Sequence, residues 1–481
     1  MSLTSKTIGG FFWAFMERVG TQALQITIFI VLARLLTPEA FGLMGMLAVF
    51  IVVSQNISDS GFGQALIQKK DADEIDYSSV FYLNLVISVL MFAAIYIAAP
   101  FIASFYGEPV LIELIRVLGL RFIFSAFSMV QVARLTKQIK FKKLMIVKLP
   151  STLIGGFAGI TAAYLGFGVW SLIIQQLVDS ALYSIQIWIQ SRWKPQLVFS
   201  FNRVKVLFSF GSRIMIERVL SGIYQNFYEV MIGRNFSTAD VGLYSIARKI
   251  NRIPIKNLST TLSNVTYPIL SVIQDQDTRL KSAYKQIIRL AFFVVTPVMV
   301  LLIIIAEPLF DLVLSDTWLP AVSYFQWLCV GAVLYPVQLY NLNILKVKGR
   351  SDLFLNIGIV KKIIGVSGIL FFVQYSVMAL VIFKTANAFV AYFINSFFSG
   401  RLINYGAFEQ IKDIWKFIGA ATIAGVATFI IVELLQLHHV LTIILATLTI
   451  LSIYLLLIRI SEREILLLSK ELFYAARKKI S

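Results

Sequence analysis

The sequence predicts an all-α integral membrane protein of about fourteen transmembrane helices, built as two parallel-repeat six-helix bundles around a central cationic cavity plus a C-terminal hairpin. The first reason is composition. The 481 residues are 58% hydrophobic and only 14% charged, whereas soluble domains are about 25% charged. The second is that long apolar runs recur from end to end, which leaves no stretch that reads as a separate soluble domain.

The spans follow from the length rule that about 20 apolar residues cross the hydrocarbon core. In order, we predict them at residues 8–33, 40–66, 78–104, 110–133, 144–165, 168–190, 206–232, 240–266, 286–308, 320–345, 353–374, 377–400, 415–436 and 440–459. The first span carries Glu17 and Arg18 and has no small-residue cleavage site, so we interpret it as a retained membrane helix. The least apolar spans are 206–232 and 240–266.

The distribution of lysine and arginine between the predicted spans tests the number of spans. The formal net charge is +18, and the basic residues fall mostly in alternate gaps between spans, such as 134–143, 192–205 and 279–289. The intervening gaps hold only Arg34 and Arg234. By the positive-inside rule this pattern predicts that both termini are cytoplasmic. It also explains the basic character without any nucleic acid partner.

An internal repeat relates the two halves of the chain. Met16–Leu43 resembles Ile216–Leu243 at a constant offset, with matched pairs of glutamate, arginine and glycine. Six predicted spans separate the two starts, so the halves share one orientation. We therefore predict an N-terminal six-helix lobe at 1–195, a C-terminal six-helix lobe at 196–404, and helices 13–14 with a basic tail at 405–481.

Charged residues within the predicted spans are functional candidates, because lipid cannot solvate them. The basic ones predict a cavity that binds an anionic substrate: Arg18, Arg121, Arg213, Arg218, Arg248, Lys249 and Arg252. Lys256 continues the four-residue spacing of Arg248 and Arg252. The acidic ones are candidates for coupling transport to a proton or sodium ion: Glu17, Asp59, Asp179, Glu217 and Glu229. The alternative is that these acids and bases pair across helices and only hold the bundle together.

No catalytic or metal motif is readable. Cys329 is the single cysteine, and His438 and His439 are the only histidines and are adjacent. These residues form no zinc signature and no nucleophile–histidine–carboxylate set. We therefore expect a protein that is not an enzyme and that has no metal and no cofactor beyond a coupling ion.

Several motifs, in this order along the chain, resemble the polysaccharide transporters of the Wzx type. They include LARLLTPEAFG at 32–42, DSGFGQALIQKKD at 59–71, KFKKL at 140–144, GFGVW at 166–170, YPIL at 267–270 and LKVKGRSDL at 345–353. This family lies in the flippase superfamily that also contains multidrug exporters and the peptidoglycan-precursor flippase. The chain looks most like the exporters for colanic-acid-like and teichuronic-acid-like polymers.

The resemblance implies a flippase that moves undecaprenyl-pyrophosphate-linked repeat units across a bacterial cell membrane for capsule, O-antigen or exopolysaccharide assembly. It implies an anionic lipid-linked oligosaccharide as substrate, membrane lipid around the protein, and a polysaccharide polymerase and export machinery as partners. Cavity arginines would meet the pyrophosphate. The basic run in span 8 departs from the mixed polar residues of relatives and points to an acidic glycan.

Three rival interpretations stay open at this stage. A drug or ion antiporter of the same superfamily is the nearest, although its substrates are often cations that a basic cavity would repel. A membrane glycan polymerase or ligase typically has a large outer loop, and no outer gap here is long. A scaffold without transport would leave the charges within the spans unexplained.

Overall fold

The structure is a computed structural model that describes residues 3–467, with the side chains of 3–8, 11, 256–265, 267 and 269 outside that description. Within this part of the chain the regular structure is entirely helical, as the apolar periodicity predicts. The chain divides into two compact units, Met1–Gly242 and Leu243–Ser481. The predicted lobe boundaries at 195 and 404 stay a prediction.

The first unit contains nine helices in the described residues, together with the start of a tenth. They are α1 (Leu3–Leu35), α2 (Pro38–Asp59), α3 (Phe62–Gln68), α4 (Glu74–Tyr106), α5 (Leu111–Leu118), α6 (Leu120–Lys137), α7 (Phe141–Tyr164), α8 (Trp170–Ser191) and α9 (Phe201–Asn235). Helix α7 packs between α1 and α8, α6 packs against α4 and α8, and α9 runs along α2.

Local sequence sets several of these helix ends. Pro38 occupies the first turn of α2, where its missing N–H is not needed. Gly61, at φ +68°, allows the tight break between α2 and α3. Asp73 caps α4 by accepting from the Asp76 backbone N–H, and the Asp76 side chain accepts in return from Asp73, which satisfies two exposed donors at the helix start.

The second unit contains most of α10 and eight further helices among the described residues. They are α10 (Thr238–Val272), α11 (Asp277–Ile304), α12 (Ala306–Val313), α13 (Ala321–Ala332), α14 (Tyr335–Val347), α15 (Ser351–Phe372), α16 (Val377–Ile403), α17 (Ala407–Leu435) and α18 (His439–Ser461). Their largest core joins α11, α14, α17 and α18 through buried residues such as Phe292, Tyr340, Phe417 and Tyr454.

A buried polar cluster fixes α17 to the rest of this unit. The amide of Asn341 in α14 donates to Ser396 at 2.9 Å and to Gln410 in α17 at 3.1 Å. Its carbonyl oxygen accepts from the hydroxyls of Tyr284 at 2.6 Å and Ser399 at 2.7 Å. All five side chains are buried, so their mutual bonds replace the water they lose on folding.

Eleven helical segments of the described residues are long and apolar enough to cross a bilayer, which confirms a multi-pass membrane protein. Each coincides with one of the predicted spans. The predicted spans at 110–133, 206–232 and 240–266 lie on α5 and α6, α9 and α10, which fall outside this set. These helices carry many of the charged residues, and charge lowers hydropathy. The count of fourteen stays a prediction.

Candidate functional site

The predicted site residues lie in both units. The first unit holds Glu17 and Arg18 in α1, Asp59 at the end of α2, Arg121 in α6, Asp179 in α8, and Arg213, Glu217, Arg218 and Glu229 in α9. The second unit holds Arg248, Lys249 and Arg252 in α10. The side chain of Lys256, which continues their spacing, lies outside the described residues.

Asp179 forms an ion pair with Lys148 between α8 and α7. The Lys148 Nζ lies 2.8 Å and 3.1 Å from the two carboxylate oxygens, and the Thr152 hydroxyl donates to one of them at 3.1 Å. Gly155 permits the close approach, since a Cβ there would stand 2.9 Å from the Asp179 Cβ. The carboxylate of Asp179 is therefore paired with an opposite charge from the neighbouring helix α7.

Sequence reasoning missed Lys148. It lies inside the predicted span at 144–165 but was not named among the candidates there, and it is the eighth residue of α7, well inside that helix. Its ammonium also lies over the ring of Tyr183, 5.2 Å from the centroid. The available signal was this position, four residues after the end of KFKKL and within a predicted span.

Three further hydrogen bonds extend from this ion pair toward α2. Arg121 in α6 donates to the Gln176 side chain in α8 at 2.9 Å. Gln55 in α2 donates to Ser125 in α6 at 2.8 Å and to Asp59 at 3.1 Å. Because Arg121 and Ser125 are one helical turn apart, as are Gln176 and Asp179, the contacts follow one another across the unit.

We call this set the polar band, and define it as Gln55, Asp59, Arg121, Ser125, Lys148, Thr152, Gln176 and Asp179. It links α2, α6, α8 and α7. Glu17 of α1 lies within electrostatic range of Lys148 at one end, and Arg218 of α9 lies within range of Asp59 at the other. The band therefore contains three of the predicted candidates, Asp59, Arg121 and Asp179, and has Glu17 and Arg218 within electrostatic range. It leaves Arg18, Arg213, Glu217 and Glu229 outside its direct contacts.

Other charges of the first unit are exposed on the protein surface. Arg18 in α1 and Arg213 and Glu217 in α9 are all exposed. Arg213, Glu217 and Ser221 follow at four-residue spacing, which places them on one face of α9, and the Ser221 hydroxyl donates to Glu217 at 2.8 Å. Arg18 lies in a segment apolar enough to span the membrane. Such exposed charges require water or a polar ligand, since hydrocarbon provides no partner.

Glu229 has a different setting. It is 4% exposed and lies in α9 within electrostatic range of Tyr106 and Tyr228. In α10, Arg248 is partly buried, whereas Lys249 and Arg252 are exposed. Arg248 and Arg252 are one turn apart on the helix, so both extend from a similar face, as their spacing predicts.

Within the described residues, histidine, cysteine, aspartate and glutamate side chains form no group of three or more that could hold a metal ion. Cys329 is buried and accepts from the Asn251 side chain at 3.2 Å. His439 lies 3.0 Å from Asp311, next to the start of α18. These contacts give each residue a local structural role.

Two glycines form a close backbone contact at the start of α2 and α10. A Cβ at Gly42 would overlap the carbonyl oxygen of Thr238, and a Cβ at Gly242 would overlap the carbonyl oxygen of Pro38. Pro38 and Thr238 are the first residues of α2 and α10. We call this the glycine contact. It joins residues that the internal repeat matches, although the repeat arrangement itself stays a prediction.

Comparison with known proteins identifies a family that this chain matches. Residues 31–323 match the family described as "Polysaccharide biosynthesis protein". The teichuronic acid biosynthesis protein TuaB of Bacillus subtilis (strain 168) is 26% identical over 355 residues, which are 73% of each chain. The lipopolysaccharide biosynthesis protein WzxC of Escherichia coli (strain K12) is 22% identical over 401 residues, 82% of each chain.

The fold is that of a solved lipid-flipping protein. The lipid II flippase MurJ, in an inward closed conformation, aligns with a TM-score of 0.76 at 15% identity, covering 94% of this chain and 99% of MurJ. These matches confirm the resemblance drawn from the sequence motifs. Because the family match spans more than half of the chain, the chain belongs to the polysaccharide biosynthesis protein family.

Proposed function

We propose that this protein is a flippase that moves an undecaprenyl-pyrophosphate-linked oligosaccharide repeat unit from the inner to the outer leaflet of the bacterial cell membrane, for capsule, O-antigen or exopolysaccharide assembly. The observation that carries the proposal is the set of exposed charges on long helices of the first unit, Arg18 in α1 and Arg213 and Glu217 in α9, in a chain of this family. The relatives are proteins of teichuronic acid and lipopolysaccharide biosynthesis, and MurJ, which shares the fold, is a lipid II flippase.

In this proposal the arginines bind the pyrophosphate. Arginine presents a planar fork of donors that fits phosphate oxygens, and it stays charged in any environment. The candidates in the first unit are Arg18, Arg121, Arg213 and Arg218, and those in the second unit are Arg248, Lys249 and Arg252 of α10. Of these, Arg18 and Arg213 are exposed and free to meet a ligand, because neither bonds another residue in the described part of the chain.

The acids would couple transport to a proton or sodium ion. Glu17, Asp59, Asp179, Glu217 and Glu229 are the candidates. The Lys148–Asp179 ion pair makes Asp179 the weaker one, because its charge is already matched. Asp59 is the stronger, since its described bonded contact is the neutral amide of Gln55, which a bound cation could readily join.

Alternating access requires a point that opens and closes. The glycine contact provides a candidate at the start of α2 and α10, on the side that the charge distribution assigns to the outside. There the backbones meet without intervening side chains, so they can separate without breaking a packed core. We further propose fourteen spans in two parallel six-helix bundles, with helices 13–14 appended and both termini cytoplasmic.

The test uses bacterial cells from which the gene has been deleted. Undecaprenyl-linked oligosaccharides are extracted, and their sidedness is measured with a membrane-impermeant glycan-modifying enzyme. We expect one complete repeat unit to accumulate on the cytoplasmic face, and we expect rescue by the wild-type gene but not by a variant with Arg18→Gln and Arg218→Gln. Normal levels on both faces, with polymer still exported, would instead support a drug or ion antiporter.

A polymerase deficiency gives a different result. Cells that lack a glycan polymerase accumulate the single repeat unit on the outer face, because flipping still occurs. The side of accumulation therefore separates the proposed flippase from a membrane glycan polymerase. We also expect the polymerase and export machinery to act on the product of this protein, as the next users of the flipped unit.

A further inference from the structure

Between Leu243 and Ile403, the interiors of the membrane helices of the second unit carry bases and no acids. Between Leu243 and Ile403 the sequence has acids only at 275, 277, 307, 311, 316 and 352. These acids lie in the loop before α11, in the short helix α12, in the 3-10 turn Asp316–Trp318, or in the first turn of α11 or α15. The first unit is different, because its helices contain Glu17, Asp59, Asp179, Glu217 and Glu229 among their bases.

Lys361 and Lys362 lie in the middle of one of these helices. Lys361 is the eleventh of the 22 residues of α15, which places it about 15 Å from either end at a rise of about 1.5 Å per residue. That distance exceeds the length of a lysine side chain. Neither ammonium can therefore reach the polar interface in the way that lysines near helix ends do.

The surroundings of this lysine pair lack an opposite charge. Ile357, Lys361, Gly365 and Ile369 follow at four-residue spacing, and the other three positions include the buried residues of α15. Lys361 thus lies on the face that packs toward α14 and α16. In the part of the chain that the structure describes, neither Lys361 nor Lys362 has a hydrogen bond or an ion pair.

Two other lysines show what a satisfied membrane lysine looks like in this protein. Lys148 has the carboxylate of Asp179 at 2.8 Å. Lys384 in α16 donates to the Tyr244 hydroxyl at 2.5 Å and lies over the same ring. Beside the lysine pair there is space instead: a Cβ on Gly358, one turn before it, would meet nothing within 4 Å.

We propose that Lys361 and Lys362 form a binding site for a carboxylate group of the transported glycan, such as that of a uronic acid, separate from the pyrophosphate site. The inference rests on the proposed function and defines its substrate class. A lysine ammonium is a compact point charge that suits a single carboxylate, whereas arginine forks suit phosphate. The arginine candidates lie on α1, α6, α9 and α10, and the interior of α15 holds only lysines.

The test compares two forms of one ligand. A polyprenyl-pyrophosphate-linked oligosaccharide that contains a uronic acid is prepared, and part of it is carboxyl-reduced to the neutral hexose. Binding of both forms to the full-length protein in lipid nanodiscs is then measured. We expect the wild type to bind the acidic form about tenfold more tightly, as for one charged hydrogen bond.

The double variant Lys361→Gln/Lys362→Gln should lose this preference and keep the wild-type affinity for the neutral form. Lys361→Arg/Lys362→Arg should retain the preference, which guards against a folding defect. Lys412→Gln is the matched control, since Lys412 is exposed in the first turns of α17 and has no bonded partner in the described chain.

Other outcomes overturn the inference in distinguishable ways. Equal loss for both ligand forms in the glutamine variant would assign the lysines to the pyrophosphate. Unchanged preference would make them structural. If the wild type binds neither form, the proposed function itself fails. If the wild type binds both forms equally, the flippase proposal stands and only the carboxylate site is wrong.

Discussion

Gly42 in α2 and Gly242 in α10 each face the backbone carbonyl that begins the other's helix, Thr238 for Gly42 and Pro38 for Gly242. Both are the fifth residue of their helix. A backbone carbonyl within a helix cannot rotate aside as a side chain can. The contact therefore has no room for a side chain at either position, and this explains why both positions are glycine.

We expect Gly42→Ala to destabilise the protein by about 1–3 kcal/mol, the usual effect of overpacking a tight contact. The added methyl group must push the starts of α2 and α10 apart. Thermal unfolding of the purified protein in one detergent measures this. The matched control is Gly419→Ala in α17, where a Cβ meets nothing within 4 Å, so helix propensity should make it neutral or slightly stabilising.

If the two alanine variants unfold at the same temperature, the glycine contact is not populated in the resting protein. A cysteine pair gives an independent measurement. Cysteines placed at Ser237 and Glu39, near the contact, should crosslink more slowly in Gly42→Ala than in the wild type. A rate that does not change would contradict the proposed separation of the two helix starts.

Removing one charge of the Lys148–Asp179 ion pair should destabilise the protein more than removing both charges. Asp179→Asn leaves Lys148 without a carboxylate inside α7, and we expect a loss of about 1–3 kcal/mol, because the pair is only partly exposed. Lys148→Met should cost a similar amount. The double variant should recover part of the loss, since no uncompensated charge remains. Unfolding free energies of the four proteins form a double-mutant cycle.

Additive effects in this cycle would show that the two side chains do not interact, and would contradict the structure. Transport adds a second measurement. If the ion pair only joins α7 to α8, the double variant should flip its substrate at close to the wild-type rate. A double variant that is stable but inactive would place Asp179 back among the coupling candidates.

Much of the fold is readable from apolar runs, because a membrane helix requires one. The runs predicted the eleven segments that meet the length and hydropathy criteria. The helices that fall short are those with charges, such as Arg121 in α6 and Arg218 in α9, because charge lowers hydropathy. Sequence also selected Asp59, Arg121 and Asp179, since charge within a span is rare and visible.

The contacts of those residues were not readable. Lys148 was not named among the candidates although it lies within the predicted span at 144–165, because a lysine so close to the basic run KFKKL is expected near the end of a membrane helix. Gln55, Gln176 and Asn341 are neutral, so they raised no signal among other polar residues. Their partners lie far apart in the chain, as Asn341 and Gln410 do, and only packing brings them together.

The buried polar cluster around Asn341 should be important for stability and not for transport. Asn341→Ala removes partners of Tyr284, Ser396, Ser399 and Gln410, all of which are buried. Buried polar groups without partners cost about 1–3 kcal/mol each, so we expect a loss of at least about 2 kcal/mol. Asn356→Ala, on the exposed face of α15, is the control and should have little effect.

Thermal unfolding and flipping are measured on the same preparations. The variant should unfold at lower temperature and, below that temperature, flip its substrate at the wild-type rate. An Asn341→Ala protein as stable as Asn356→Ala would mean that water replaces the amide. A stable but inactive protein would place the cluster within the transport pathway.

For the exposed arginines we expect the opposite result, a loss of substrate binding without a loss of stability. Arg18 and Arg213 bond no other residue in the described part of the chain, so replacing either one by glutamine should leave the unfolding temperature unchanged. If they bind the pyrophosphate, each replacement should weaken lipid-linked substrate binding by about tenfold or more, the effect of losing one charge-assisted hydrogen bond. Binding of undecaprenyl pyrophosphate, without any glycan, isolates this contribution from the sugar.

Arg459→Gln at the end of α18 removes the same charge from an exposed position far along the chain and should bind normally. Equal weakening in all three variants would reflect net charge alone, and the arginines would then act by attracting any anion rather than by holding the pyrophosphate.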